Sequence, residues 1–172
     1  PGRVAKDDGT YYKVYTPFYK RWMIHGWRAP AADPAKAPNW IGVDTCDGYP
    51  DRPDTGGVVI PRAGEAAALE LFETFLAGPI ETYDEDRNRP DLAGTSKLST
   101  ALKWGEIHPR TLLARLGDSK GHEVFRKEIA WREFYAEVAF QRPDTITDYF
   151  NPLYAQMEYD TGAEADKKFE AW

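Results

Sequence analysis

Eight of the thirteen prolines fall within the first 62 residues. Proline lacks a backbone donor and clashes with the preceding turn, so it interrupts helices and sheet ladders alike. Pro30, Pro34, Pro38, Pro50, Pro53 and Pro61 therefore break up any long element in this region. The stretch Lys13–Trp22 escapes this spacing. It reads as extended at first, with Pro17 opening a short helix that carries Phe18, Tyr19 and Trp22. The remainder, through Asp47-Gly-Tyr-Pro and Asp54-Thr-Gly-Gly, reads as a long connector wrapped over a surface. Loops of that length usually serve a function or link domains. Residues 1–62 are accordingly expected to be an interdomain connector, and regular structure must be built from residues 63–172.

That second segment is helical in pattern. Ala67, Leu69, Leu71, Phe72, Phe75 and Leu76 set a helix over Glu65–Ala77, stopped by Gly78-Pro79. Ile80–Ala93 is polar and turn-rich. Thr95–Trp104 predicts a second helix ended by Gly105, and Pro109–Leu116 a third with proline in its first turn. Gly121–Gln141 is the longest, closed by Arg142-Pro143, and Ala165–Trp172 starts a fifth. No alternating strand pattern and no internal repeat follow residue 62, so the fold class is expected to be all-α. A length of 172 residues suffices for a real core. The chain starts at Pro1 and stops within a helical pattern, which reads as a piece of a longer protein.

Composition narrows the function classes. The net charge is −6, which argues against a general nucleic-acid binder while leaving room for a local basic patch. Cys46 is the one cysteine, so no internal disulfide can form, and with no secretory pattern an intracellular, cytoplasmic location is expected. No run approaches the length of a membrane span. His25, His108 and His122 lack metal-ligand spacing, so no metal is expected, and His108 before Pro109 reads as a helix-start residue. Six Trp and ten Tyr suit either an aromatic core or stacking on a planar ligand.

Two constellations carry chemistry. Thr95, Ser96 and Ser99 crowd an expected helix start. Hydroxyls there can cap free N–H groups, and the same N–H groups can bind a phosphate. Tyr83 and Arg87 lie just upstream, one helical turn apart, as a possible aromatic wall and cation. In the long helix, placement at 100° intervals puts Val124, Trp131, Phe134, Tyr135 and Val138 in one arc. Phe125, Ile129, Ala136 and Phe140 form a second arc, while Arg126, Glu133 and Glu137 form a polar stripe. Glu128 sits beside Tyr135 in the first arc. A buried carboxylate needs a partner. Arg132, four residues on, offers an internal ion pair; alternatively the arc lines a cavity and Glu128 meets a ligand's donor.

The stretch Tyr83-Asp-Glu-Asp-Arg-Asn-Arg-Pro90, then Gly94-Thr-Ser-Lys-Leu-Ser99, then Lys103-Trp-Gly-Glu-Ile107 with Pro109-Arg110, resembles the first FAD-binding stretch of the DNA photolyase and cryptochrome family. Glu128-Ile-Ala-Trp-Arg-Glu-Phe-Tyr135 resembles the next, in matching order and spacing over roughly residues 63–141. Val14-Tyr-Thr-Pro-Phe18 is similar to the segment that follows the family's antenna domain. The resemblance implies that residues 63–172 are the first part of the helical FAD-binding domain, truncated, behind the connector. It implies that Tyr83, Thr95, Ser96, Lys97, Leu98 and Ser99 bind FAD, the run at 95–99 lying around its phosphates. Arg87 is similar to a DNA-contacting arginine, Glu128 to the acid that hydrogen-bonds the damaged pyrimidine pair, and Trp131 to the indole packed against it. Arg132 is implied in cofactor or DNA binding.

Glu128, where relatives of other specificity carry Gln, points to the cyclobutane-dimer repair branch. The implied activity is that of a carbon–carbon lyase. Reduced FAD, excited by light, lends an electron to the dimer, and a protonated or proton-sharing Glu128 stabilises the charge that develops. The implied partner is ultraviolet-damaged DNA; the whole protein is expected to be a monomer with a folate or deazaflavin antenna chromophore in a separate N-terminal domain. The antenna domain and the second half of the FAD site do not appear in this sequence, so the segment alone is expected to be inactive. Tyr159 falls near where relatives place the outermost Trp of their photoreduction chain. Two alternatives remain: a cryptochrome-like photoreceptor with the same FAD site, and a ligand-free helical interaction domain.

Overall fold

The computed structural model describes residues 1–32, 36, 37, 39, 41, 42, 48, 51 and 53–172. Cys46, and the connector reading at Pro34, Pro38, Asp47, Tyr49 and Pro50, lie outside the described residues. Among the described residues there is no β-strand, only an isolated antiparallel bridge between Ala5 and Tyr11; the protein is all-α. Seven α-helices are described: α1 Tyr15–His25, α2 Glu65–Leu76, α3 Tyr83–Asp86, α4 Ser99–Trp104, α5 Pro109–Leu113, α6 Lys120–Gln141 and α7 Ala163–Ala171. None of the described helices is long and apolar enough to cross a membrane.

The chain divides into two compact units. One comprises Gly26–Ile129. Its core takes Ala67, Ala68, Phe72 and Phe75 from α2, spaced to fall on one helix face. Ile80 and Tyr83 join them from a tight 3₁₀ turn at Pro79–Thr82 and from α3, together with Leu98, Ala101, Ile107, Leu112, Leu113, Phe125 and Ile129. The turn and α3 form within the segment expected to be polar and turn-rich, because Ile80 and Tyr83 supply two buried anchors there. Two glycines permit the packing by what they lack. A Cβ on Gly121 would lie 1.8 Å from the Ile80 carbonyl oxygen, and one on Gly94 would lie 2.5 Å from the Asp86 Cβ. The start of α6 therefore presses directly on the backbone before α3, and the 95–99 run begins against α3 itself.

The other unit comprises Pro1–His25 with Ala130–Trp172. Its core holds Val4, Phe18, Trp22, Ala130, Phe134 and the carboxylate of Glu137. Proline density reports where regular elements are sparse; compactness depends on which apolar faces meet, so the connector at 1–62 and this division describe different properties.

Several helices depart from their expected form. The second begins at Ser99 rather than Thr95, because Lys97 takes a left-handed φ of 53° and breaks the turn before Leu98. The third ends at Leu113, three residues early. In α6 the polar stripe is not all exposed: Glu137 is 2% exposed, while Tyr135, Ala136 and Phe140 face solvent. The cause is tertiary. The Gly2 N–H donates to Glu137 Oε2 at 2.5 Å and the Gln141 amide to Oε1 at 3.0 Å, so the carboxylate is satisfied while buried. His108 does start α5, its ring Nδ1 accepting the Arg110 N–H at 3.1 Å.

Candidate functional site

Within the 26–129 unit, α3 and the first part of α6 bring together Tyr83, Arg87 and Glu128. The Tyr83 ring is 8% exposed and meets Phe75 and Phe125 edge-on, both at 5.4 Å between centroids. Edge-to-face packing of this kind suits the ring quadrupoles. One turn later, the Arg87 guanidinium lies 5.5 Å over the open face of Tyr83. It donates from Nη1 to Glu128 Oε1 at 2.5 Å. The carboxylate pushes the Arg87 guanidinium still higher in basicity, the hydrogen bond being the main cause. Burial pushes the Tyr83 phenol up, opposed by Arg87. Side-chain exposure is 32% for Arg87 and 34% for Glu128, so the pair is half-sheltered, open on one side to solvent or a ligand.

Glu128 thus finds its cation 41 residues back in the sequence. Packing of α3 on α6 delivers to the carboxylate a guanidinium that helix periodicity alone could not place. Arg132 is exposed on the part of α6 that belongs to the other unit.

The 95–99 run is a turn followed by the first residue of α4. Thr95, Lys97 and Ser99 are exposed and Ser96 is half-buried, its Oγ accepting the Leu98 N–H at 3.4 Å. The Leu98 side chain is fully buried, which leaves its backbone as the part that a ligand could reach. Two hydroxyls and an ammonium on an exposed turn are a donor set that fits a phosphate. Lys97 also lines a cleft of about 310 Å³, with Ile60, Pro61, Leu71, Thr100 and Trp104 among the other residues around it.

In the unit built from 1–25 and 130–172, Trp131 lies in an aromatic stack. Its indole is parallel to Tyr15, with 3.6 Å between centroids and 7° between planes. Tyr135 stacks more loosely at 5.6 Å and Phe134 meets it edge-on at the same distance. Tyr159 donates or accepts a 2.8 Å hydrogen bond with the Tyr149 hydroxyl, and both are exposed.

One polar group, read in the sequence only for its lack of metal-ligand spacing, has a structural role. His122, at the start of α6, accepts the Gly117 N–H on Nδ1 at 2.9 Å, which puts its proton on Nε2, 3.2 Å from Glu81 Oε1. Arg126 donates to the Gly117 carbonyl at 2.8 Å. Together they pin the loop ahead of α6. Charge-bearing residues one helical turn apart, at 122 and 126, were the available signal.

No family model matches this chain. Curated relatives do. Over 157 residues it is 34% identical to a deoxyribodipyrimidine photo-lyase of Alkalihalophilus pseudofirmus, covering 84% of this chain and 32% of the relative. It is 32% identical over 189 residues to the deoxyribodipyrimidine photo-lyase of Agrobacterium fabrum, covering all of this chain and 38% of that one. Among solved structures, a bacterial class III photolyase from Agrobacterium tumefaciens superposes with a TM-score of 0.78 at 30% identity, over the whole of this chain and 38% of that structure. The chain spans about a third of the length of the curated relatives it matches.

Proposed function

Because this chain belongs to the photolyase family, we propose that it forms the connector, residues 1–62, and the first part of the helical FAD-binding domain, residues 63–172, of a light-dependent flavoenzyme that splits cyclobutane pyrimidine dimers in DNA. The observation that carries the reading is the half-sheltered carboxylate of Glu128, held beside a cation and an aromatic cluster on a helix that continues to Trp131.

Tyr83 and the run Thr95, Ser96, Lys97, Leu98 and Ser99 would hold FAD. The hydroxyls and the Lys97 ammonium suit its pyrophosphate, Leu98 can contribute only backbone, and Tyr83 supplies an aromatic edge. When bound and reduced, FAD supplies under light the electron that breaks the dimer. The chain's own residues do the rest. Glu128, once protonated, donates a hydrogen bond to a pyrimidine carbonyl and stabilises charge that develops on it. Trp131 offers an indole for the lesion to pack on, within the stack that Tyr15 and Tyr135 already make with it. Arg87 and Arg132 bind DNA phosphates, where a planar fork of donors is well matched. A folate or deazaflavin antenna would belong to a separate domain. The whole enzyme acts in the cytoplasm as a monomer, and this segment by itself is inactive.

The test uses the full-length protein that carries this segment. Its visible spectrum is recorded, and it is mixed with ultraviolet-damaged oligonucleotide with and without blue light. Bound flavin with light-dependent loss of dimers is the expected result. Bound flavin without repair would move the assignment to photoreception, and absence of flavin would overturn it.

A further inference from the structure

In the unit built from 1–25 and 130–172, two aromatic helix faces meet. On α1, Tyr15, Phe18, Tyr19 and Trp22 stand at i, i+3, i+4 and i+7, which lines them on one face. On α6, Trp131, Phe134 and Tyr135 repeat the first three of these positions. Tyr15 lies on the Trp131 indole with 3.6 Å between centroids and 7° between planes, closer and flatter than the contacts of that indole with Phe134 or Tyr135. Phe134 closes the corner. It meets Tyr15 at 5.9 Å and Trp131 at 5.6 Å, both edge-on, and packs on Phe18 at 5.2 Å. Phe18 and Phe134 are both buried, so the two rings that fix Trp131 are tied to the core of their unit.

We propose that Tyr15 is the positioning residue for Trp131: it holds the indole, before DNA arrives, in the orientation in which the indole receives the damaged pyrimidine pair. The inference rests on the binding role given to Trp131 under the proposed function. A side chain that must be ordered by its ligand costs affinity, and one already ordered by its neighbours does not. Tyr15 sets the tilt of the indole through face-to-face contact, and Phe134 limits its swing through edge contact. The stack uses the ring of Tyr15, not its hydroxyl. Of the three rings that touch Trp131, Phe134 is buried, Tyr15 is half-buried and Tyr135 is 63% exposed. A planar group arriving from solvent therefore meets Tyr135 first, while Tyr15 stays behind as support.

The effect should be confined to damaged DNA. Unstacking is easiest at a damaged pair, whereas intact bases stay within the duplex, out of reach of an indole. Contacts to phosphate serve both duplexes alike and do not pass through Tyr15. Loss of the supporting ring should therefore cost about two- to tenfold in affinity for the lesion, the range that ordering one side chain commands.

The experiment is a double-mutant cycle on the flavin-loaded full-length protein, in the dark, with a dimer-containing duplex and its undamaged counterpart. Affinities are measured for the wild type, Tyr15→Leu, Trp131→Ala and the two changes combined, with Tyr15→Phe as the conservative variant. Tyr15→Leu should weaken damaged duplex by about two- to tenfold and change undamaged duplex far less. Tyr15→Phe keeps the ring and should bind as the wild type does. Once Trp131 is Ala, Tyr15→Leu should add nothing further, because no indole is left to hold. Should Tyr15→Leu fail to fold, Tyr15→Met, with a long adaptable apolar side chain, carries the same comparison. Wild-type affinity in the Leu or Met variant would overturn the proposal. So would an equal loss on both duplexes, or the same loss with and without Trp131, since Tyr15 would then be a packing residue only. In each of these cases the role of Trp131 itself would stand. A wild type without preference for damaged duplex, or Trp131→Ala with unchanged affinity, would instead fail the reading on which the inference rests, and the positioning role with it.

Discussion

Gly121→Ala is the most diagnostic single change available in this chain. In a helix, Ala is better than Gly by about 1 kcal/mol, so on propensity alone the variant should be more stable. The structure reverses the sign. The added methyl would sit 1.8 Å from the Ile80 carbonyl oxygen, 3.0 Å from its carbonyl carbon and 3.2 Å from the Glu81 carbonyl carbon. These are backbone atoms and cannot rotate away. Relief requires α6 and the Pro79–Thr82 turn to part by at least about 1.2 Å, to reach the 3.0 Å limit of real contacts. A gap of that size forfeits roughly half of the dispersion well for every atom along the seam. The seam is the one that holds Phe125 against Phe75 and Tyr83. Overpacking against such a surface costs roughly 1–3 kcal/mol, occasionally more. With an overlap this deep at the upper end of that range, a net loss of about 2 kcal/mol remains after the propensity gain is subtracted. Thermal unfolding followed by far-ultraviolet circular dichroism should show a fall of roughly 4–8 °C in Tm. Gly78→Ala, with nothing within 4 Å of the added methyl, is the control and should move little. A Gly121→Ala protein as stable as the parent would refute the packing of α6 on this turn. It would also undo the placement of Glu128 against Arg87, since the same seam sets both.

Other outcomes follow from single contacts. Glu137→Ala strips the Gly2 amide of its acceptor and leaves a void, so a loss of about 2–4 kcal/mol is expected in urea denaturation, with Glu133→Ala, on the same helix, close to neutral. Lys97→Gly relieves the left-handed backbone and should raise stability by roughly 1 kcal/mol, while weakening flavin retention in the full-length protein through loss of the ammonium. Trp131→Ala should weaken binding of damaged duplex and leave flavin content intact; equal affinity before and after the change would contradict its role. The Arg115 guanidinium, donating to both oxygens of Glu73, holds that carboxyl below its ordinary value of 4.5. A depressed acid stabilises the fold above its unfolded value and loses that contribution as pH falls through the folded one. Acid unfolding of Glu73→Gln should therefore be less steep below about pH 4.5 than that of the parent.

Much of the fold was legible because it rests on local rules. Apolar spacing from Ala67 to Leu76 and the Gly78-Pro79 stop determined α2; His108-Pro109 determined the start of α5; the uninterrupted run from Gly121 to Arg142-Pro143 determined α6 to within a residue. Helix periodicity is a property of neighbours three and four apart, so a single sequence carries it. The resemblance carried the family in the same way, through motifs read in order. What no local rule reaches is a partner far along the chain. That Glu128 meets Arg87, that Glu137 is buried under the Gly2 amide, and that Tyr15 lies flat on Trp131 depend on contacts spanning 41 residues and more. Their energies appear only when helices meet. The early break at Lys97 is of the same kind, a backbone strain tolerated because Leu98 is drawn into the core beside it. The sequence by itself determined which residues could form helices and which groups could do chemistry. The tertiary structure decided which of those groups face one another, because burial and pairing are settled between segments and not along them.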